Sequence, residues 1–265
     1  MLVDGKALAA TLLSEVKVAV ANSPKPPHLV VLTCAPNFET KKYLALKQAK
    51  AESLGIVVSV EVLPEDATTA DMCAAITAAL PTATGLIVQL PLPAQIDTAT
   101  VLAAVPASHD VDAFSYDGAL DSVLPPVVGA IAEIAEVHNL NWAGKRVAVF
   151  GQGRLVGKPA AAFATSAGAV VTVLTETSTD AREVAQAADI IILGVGVPNL
   201  LTPDMVKEEV VVFDAGASED GGLLVGDADP AVASKAALFT PVPGGIGPMT
   251  IALLFRNLLE LQKRQ

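Results

Sequence analysis

The sequence predicts an α/β protein of two domains, the second of them a Rossmann-like dinucleotide-binding domain. Short apolar runs alternate along the chain with helical stretches, which is typical of βαβ units and of a parallel sheet. These runs show little polar alternation, as strands buried on both faces do. A glycine-rich turn, residues 151–157, directly follows one of the runs and precedes a helical stretch.

The first half of the chain opens with an amphipathic helical stretch and continues with three apolar runs. A proline-rich break at residues 23–27 precedes the first run, and Gly55 ends the helix that follows it. In chain order we predict strand 28–33, helix 38–54, strand 56–62, helix 70–80 and strand 85–89.

The second half repeats this alternation. In chain order we predict helix 125–138, strand 146–150, helix 158–166, strand 169–174, helix 180–187, strand 189–193, strand 210–214 and helix 248–262. We therefore assign residues 1–122 to a first α/β domain, with residues 247–265 packing back on it, and residues 123–246 to the Rossmann-like domain. Two such domains facing across a cleft would bind their ligands there.

Composition excludes several classes of protein. The 265 residues are 52% hydrophobic and only 17% charged, which excludes intrinsic disorder. Two cysteines are too few for a disulfide scaffold, and no apolar run reaches the ~18 residues of a membrane span. A formal net charge of -11 argues against a nucleic-acid surface. We expect a cytoplasmic enzyme or binding protein.

The glycine-rich turn lies where a dinucleotide-binding turn belongs. Gly151 allows the sharp turn, and Gly153 allows the backbone to approach a pyrophosphate at a helix N-terminus. The spacing is GxGxxxG rather than GxGxxG, so a tight turn without a ligand is the alternative. Glu176 follows the next strand, where a carboxylate can accept hydrogen bonds from ribose hydroxyls and repel a 2′-phosphate. A solvated loop glutamate is the alternative there.

Three further groups of residues could carry chemistry. Tyr43 and Lys47 lie on one face of a predicted helix, at spacing i, i+4. A lysine in an apolar cleft can act as a proton carrier. A solvated lysine is the alternative, since most helical lysines are solvated. Gln89 lies at the carboxyl end of a strand, the edge at which open α/β sheets bind ligands. Asp112 belongs to an acidic loop, for which an Asx turn or helix cap is the alternative.

These motifs together resemble the methylenetetrahydrofolate dehydrogenase/methenyltetrahydrofolate cyclohydrolase family. The resemblance runs from about residue 2 to residue 259, in family order. Its most specific parts are Val88-Gln-Leu-Pro-Leu-Pro93, Asp110-Val-Asp112, Val156-Gly-Lys-Pro159, Val225-Gly-Asp227 and Pro241-Val-Pro-Gly-Gly-Ile-Gly-Pro-Met-Thr250.

The resemblance implies a homodimer that binds tetrahydrofolate and NAD(P) and needs no metal. It implies that Lys47 transfers protons in the cyclohydrolase reaction and that Gln89 hydrogen-bonds this lysine and adjusts its proton affinity. It also implies that Asp112 recognises the polar edge of the pterin. The residues that it places against the folate are Tyr43, Gln89, Leu90, Pro91, Asp112, Pro243, Gly244 and Gly245. Those that it places against the cofactor are Gly151, Gln152, Gly153, Arg154, Glu176 and Ala217.

The chain departs from the family at the position that reads the cofactor's 2′-phosphate. The family usually has Gly-Arg-Ser where this chain has Gly151-Gln152-Gly153, and it has a serine where this chain has Glu176. Losing a cation and gaining a carboxylate each disfavour a 2′-phosphate, by about 1 to 3 kcal/mol. We therefore predict a shift toward NAD, which the neighbouring Arg154 could offset.

Two further departures affect the folate side. Residues 124–129 replace the family's Pro-Cys-Thr-Pro segment, and residues 109–113 lose a lysine that usually precedes the aspartates. The sequence therefore leaves three alternatives open. They are a dehydrogenase without hydrolysis, a non-catalytic nucleotide- or folate-binding relative, and a dehydrogenase for another small substrate.

Overall fold

The computed structural model describes residues 1–119 and 122–265, apart from the side chains of Glu39 and Tyr43. The chain divides into two compact units. The first unit comprises Thr11–Ser115 and Leu254–Gln265, and the second comprises Met1–Ala10 and Tyr116–Leu253. The predicted boundary at residue 122 and the predicted transfer of residues 247–265 stay predictions.

Helices and strands alternate in both units, which confirms the predicted α/β class. In chain order the elements are α1 (Gly5–Ala21), β1 (His28–Cys34), α2 (Phe38–Ser53), β2 (Val57–Leu63), α3 (Thr69–Ala79), β3 (Gly85–Val88), α4 (Thr98–Ala103), α5 (Pro126–Val137), β4 (Arg146–Phe150), α6 (Gly157–Ser166), β5 (Val170–Leu174), α7 (Ala181–Ala187), β6 (Ile190–Leu193), β7 (Val210–Asp214), β8 (Ser218–Asp220), β9 (Leu223–Val225), β10 (Ala236–Phe239) and α8 (Ile246–Arg264). Two short 3-10 helices, Pro203–Met205 and Pro230–Ser234, complete the described elements.

The first unit contains a parallel three-stranded sheet in the order β2-β1-β3. Alternate residues of β1 face a core that includes Met72 and Ile76 of α3. The prediction that these strands are buried on both faces is wrong for β2. Val57 and Val62 are 50% and 56% exposed, because β2 lies at the edge of the sheet, with a strand on one side only.

The second unit contains a parallel five-stranded sheet in the order β10-β7-β6-β4-β5. Its central strands β7 and β6 are fully buried, whereas the edge strand β5 is partly exposed, so the predicted burial on both faces is wrong for β5 as well. Trp142 stacks on Phe213 of β7, with ring centroids 6.0 Å apart, and meets Phe163 of α6 edge-on. The Val3 N–H donates to the Phe239 carbonyl at 2.9 Å, so the start of the chain pairs with the β10 edge.

Six of the described elements were not predicted: α4, the two strands of the β8–β9 hairpin, β10 and the two 3-10 helices. The Gly221–Gly222 turn that joins the hairpin strands was a usable signal. Within the residues that the structure describes, no helix is long and apolar enough to cross a membrane. Both cysteines are free thiols.

Candidate active site

Lys47 is a buried lysine of the first unit, with 9% of its surface exposed. It lies in α2, whose start is capped by the Asn37 side chain, which accepts a hydrogen bond from the Thr40 N–H at 2.8 Å. The Lys47 Nζ donates to Gln89 Oε1 at 3.2 Å. Burial lowers the pKa of the Lys47 ammonium, and the Asp112 carboxylate opposes this change. A lysine with a lowered pKa gives up its proton more readily than a solvated one, so that its amine can act as a base.

Gln89 holds that lysine from the carboxyl end of β3. Its backbone N–H donates to the Leu32 carbonyl at 2.8 Å, which continues the pairing of β3 with β1. Its Nε2 donates to the Leu90 carbonyl at 2.7 Å, while its Oε1 accepts from Lys47. Both ends of the amide are therefore engaged, which fixes the side chain with its oxygen toward the ammonium. The next peptide bond, Leu90–Pro91, is cis.

Two aspartates follow the last strand of this sheet. Asp110 forms a parallel bridge to Leu86 and is 3% exposed. Burial raises the pKa of Asp110 to about 6, although the backbone N–H groups of residues 113–115 stabilise its charged form. Its Oδ2 has no hydrogen-bond partner among the described residues. Burial also raises the pKa of Asp112, and the Lys47 ammonium opposes that rise.

Three of the four predicted catalytic residues thus interact: Lys47, Gln89 and Asp112. The backbone of Tyr43 lies one helical turn before Lys47 in α2, but its side chain is outside the described part of the chain. Sequence reasoning singled out the acidic loop without assigning Asp110 a role, because burial of one of two neighbouring acids is not visible in the sequence.

The glycine-rich turn joins β4 to α6 in the second unit. Gly151 has φ +95, and a Cβ at Gly157 would overlap the Gly151 carbonyl, so both positions require glycine. Gln152, Gly153 and Arg154 are exposed along the turn. Among the described side chains none caps the N-terminus of α6, where the backbone can receive a phosphate.

Glu176 lies two residues beyond the end of β5, so it follows this strand as predicted. It is exposed to solvent. Because β5 pairs with β4 over its whole length, Glu176 and Gly151 follow neighbouring strands at the same edge of the sheet. The carboxylate is therefore available at the sheet edge where a bound dinucleotide would place its ribose.

A cavity of about 330 Å³ lies in the second unit, beside the proline- and glycine-rich segment that precedes α8. Pro243 and Gly244 line it, as does Ala217 after β7. Sequence reasoning missed the two charged residues in its wall, Lys6 and Asp214. A lysine in α1 carries no motif that could have pointed to this position.

Gly245, which was predicted to contact the ligand, is absent from the lining of this cavity. It is buried, and its carbonyl oxygen lies against the start of α1. The Gly5 N–H donates to the Gly244 carbonyl at 2.9 Å, and a Cβ at Gly5 would overlap the Gly245 carbonyl oxygen. Gly245 therefore supports the shape of the wall.

Residues 124–129, which replace a family segment, form mostly regular structure. From Pro126 onward they are the first turn of α5, and Val127 lines the same cavity. In the described parts of the chain, no group of three or more His, Cys, Asp or Glu side chains could hold a metal ion.

Comparison with known families matches both halves of the chain. Residues 3–112 match the tetrahydrofolate dehydrogenase/cyclohydrolase catalytic domain, and residues 125–265 match the NAD(P)-binding domain of the same family. The chain belongs to the tetrahydrofolate dehydrogenase/cyclohydrolase family. It therefore carries both the catalytic domain and the NAD(P)-binding domain of that family.

Individual members of the tetrahydrofolate dehydrogenase/cyclohydrolase family are similar over their whole length. The bifunctional protein FolD of Aliarcobacter butzleri is 39% identical, over 99% of this chain and 96% of its own. The crystal structure of the bifunctional enzyme FolD from Campylobacter jejuni has a TM-score of 0.95 at 33% identity and covers 100% of this chain and 99% of its own. The structure of the Trypanosoma brucei dehydrogenase-cyclohydrolase, solved with NADP cofactor and an inhibitor, has a TM-score of 0.88 at 27% identity. The match covers 100% of this chain and 97% of the Trypanosoma brucei chain.

The residues of this chain fit the dinucleotide that the family domain binds. Gly151 and Gly157 let the turn pass close to the start of α6, and Glu176 follows the neighbouring strand. These are the three features of a Rossmann-type cofactor site: a glycine turn, a helix N-terminus and an acidic residue after the next strand.

Proposed function

We propose that this chain oxidises 5,10-methylenetetrahydrofolate with NAD(P) and hydrolyses the resulting 5,10-methenyltetrahydrofolate to 10-formyltetrahydrofolate. The observation that carries the proposal is the buried Lys47 ammonium held by Gln89 in the catalytic domain. Hydride transfer from the folate to NAD(P) moves no proton, whereas hydrolysis requires a group that transfers protons. The intact hydrogen bond therefore favours the bifunctional enzyme over a dehydrogenase without hydrolysis.

In the hydrolysis step Lys47 is the proton carrier. Water adds to the methenyl carbon of the cationic substrate and loses both of its protons: one is released to solvent, and the other reaches the ring nitrogen whose bond to that carbon breaks. Burial disfavours the charged lysine, whereas Gln89 Oε1 and the Asp112 carboxylate favour it. This balance sets how readily Lys47 gives up its proton during the reaction. Asp112 also accepts hydrogen bonds from the polar edge of the pterin.

The second unit holds the cofactor. The turn at Gly151 and the start of α6 receive the pyrophosphate, with Gln152, Gly153 and Arg154 beside it. Pro243 and Gly244 form a wall for the ligand ring systems, and Ala217 contacts the cofactor. Bound NAD(P) supplies a nicotinamide that accepts hydride from the methylene carbon of the folate. The protein's contribution to that step is placement of the reactants.

We propose a preference for NAD over NADP. The exposed Glu176 carboxylate would repel a 2′-phosphate, and Gln152 offers no positive charge to it. Arg154 is the cation within this turn that could oppose the preference. Location in the cytoplasm and assembly as a homodimer are part of the same proposal. The dimer is tested by the mass of the purified chain in light scattering.

The proposal is tested by initial rates of methenyltetrahydrofolate formation, measured in parallel with NAD and with NADP. Hydrolysis is followed separately on methenyltetrahydrofolate supplied without nucleotide. We expect both activities, and faster oxidation with NAD. A clear preference for NADP would contradict the role of Glu176. Binding of folate or nucleotide without either reaction would contradict the proposed enzymatic activity and favour a non-catalytic relative of the family.

A further inference from the structure

A loop at the carboxyl end of β6 packs against the glycine-rich turn. β6 is the neighbour of β4 in the sheet, and Gly194 directly follows its last residue. A Cβ at Gly194 would overlap the Val156 side chain, and a Cβ at Gly151 would lie 3.2 Å from Val195 Cγ2. The backbone path of this loop, residues 194–197, therefore sets the space available to the turn.

One buried carboxylate holds the loop. Asp227 is 0% exposed. Its Oδ2 accepts from the Val195 N–H at 2.7 Å and its Oδ1 from the Val197 N–H at 2.9 Å, while the Gly196 N–H lies 3.0 Å and 3.1 Å from the two oxygens. Hydrogen bonds from N–H groups to a charged acceptor are stronger than those between neutral groups. Because the side chains of Val195 and Val197 are exposed, apolar burial contributes little to the conformation of the loop.

A second carboxylate holds Asp227 in place. Asp214, at the end of β7, accepts from the Asp227 N–H at 3.1 Å, from the Ala228 N–H at 2.8 Å and from the Gly216 N–H at 2.9 Å. A Cβ at Gly216 would overlap the Asp227 carboxylate, so the two segments approach as closely as glycine allows. Asp214 and Gly216 also line the cavity beside Pro243. The pair of aspartates thus connects the loop at the glycine-rich turn with the wall of the cavity.

We propose that Asp227 is a positioning residue for the cofactor: its carboxylate shapes the loop 194–197, against which the glycine-rich turn takes its NAD(P)-binding form. The inference rests on the proposed function, since it concerns the cofactor of that same enzyme. Lys47 and Gln89, to which the proposal assigns the hydrolysis, belong to the other unit. Removal of the Asp227 carboxylate therefore weakens cofactor binding and leaves hydrolysis intact.

The test compares Asp227→Asn with the wild type in calorimetric titrations with NAD and, separately, with NADP. An asparagine keeps one acceptor oxygen but directs an NH2 group at a backbone N–H that now has no acceptor. We expect Kd for the preferred nucleotide to rise ~10-fold to ~100-fold, as the loss of a charged hydrogen bond would give. Asp229→Asn is the matched control, because Asp229 also accepts a backbone N–H, that of Ala231, but does not bind the loop. Its Kd should stay within a factor of two.

Hydrolysis of methenyltetrahydrofolate, which needs no nucleotide, is measured on the same preparations. Weakened nucleotide binding with a hydrolysis rate near that of the wild type supports the inference. An unchanged Kd overturns it, and so does parallel loss of binding and hydrolysis in a folded variant. A wild type that binds neither nucleotide contradicts the proposed function instead.

Hydrogen exchange on the wild-type protein provides a measurement that does not depend on the variant folding. The amides of Val195, Gly196 and Val197 should be protected without added nucleotide, although these residues are exposed, because each donates to the buried Asp227 carboxylate. Exchange at the rate of an open loop would overturn the inference.

Discussion

Replacement of Lys47 by methionine tests the assignment of the proton carrier. Methionine has a similar length and no charge, so it fills the buried position without the ammonium. The side chain is 9% exposed and its Nζ donates to Gln89 Oε1 at 3.2 Å, so in Lys47→Met that oxygen loses its donor. Because the Lys47 ammonium opposes the rise of the Asp112 pKa, its removal also raises that pKa further.

The expected effect differs between the two reactions. General acid–base catalysis contributes ~10²-fold to ~10⁴-fold, so hydrolysis should fall by that factor, which corresponds to about 3 to 5 kcal/mol of transition-state stabilisation. Oxidation of methylenetetrahydrofolate depends mainly on placement of the reactants and should fall by no more than ~10-fold. The two rates are measured on one preparation, by following methenyltetrahydrofolate as it disappears without nucleotide and as it forms with NAD.

Lys50→Met is the matched control for this experiment. Lys50 lies in the same helix and is exposed, so the same substitution there should leave both rates within a factor of two. Circular dichroism shows whether both variants retain the fold. Equal loss of oxidation and hydrolysis in folded Lys47→Met would refute the assignment of Lys47 as the proton carrier.

Three further predictions follow from the same structure. The double variant Gln152→Arg and Glu176→Ser should change the ratio of NADP to NAD turnover by ~10²-fold or more in favour of NADP, because it restores a cation and removes a carboxylate; an unchanged ratio would contradict the electrostatic argument. Asp110→Asn should alter the pH dependence of stability. The pKa of Asp110 is about 6 in the folded protein against an ordinary 3.8, so its contribution to stability is present below pH 3.8 and is lost as the pH rises through about 6. Relative to Asp110→Asn, the wild type should therefore lose about 2 kcal/mol of unfolding free energy between pH 4 and pH 7.5 in urea unfolding, and a constant difference would contradict the raised pKa. Gly5→Ala should lower the free energy of unfolding by ~1 to ~3 kcal/mol, because its Cβ would overlap the Gly245 carbonyl oxygen; an unchanged melting temperature would refute this.

Local sequence patterns predicted most of the elements. The run at 146–150 is the observed β4, and the helix predicted over 38–54 differs from α2 by one residue at its end. Such elements are recognisable because their apolar residues and flanking glycines lie within one short window. The exposure of β2 was not recognisable, because an edge position depends on which strands pair, and β1 pairs with strands on both sides of it in space.

Local sequence patterns also do not indicate the long-range contacts of the candidate site. Lys47 and Gln89 are 42 positions apart, and only the family resemblance connected them before their hydrogen bond was seen. Asp227 is 30 to 32 positions from the loop that it holds, and nothing in Val225-Gly-Asp227 indicates that its carboxylate turns back toward residues 195–197. Burial and long-range hydrogen bonding decide these roles, and neither is encoded in a local pattern.

Opposite losses of activity and binding are expected for the Lys47 and Asp227 variants, and this contrast is the strongest test of the assigned roles. Lys47→Met should lose hydrolysis and keep nucleotide binding, whereas Asp227→Asn should lose nucleotide binding and keep hydrolysis. Since the two residues belong to different compact units, general destabilisation of one unit does not produce both patterns. If each variant instead lost both properties while remaining folded, proton transfer and cofactor positioning would depend on one shared arrangement, and the separate roles assigned to Lys47 and Asp227 would be wrong.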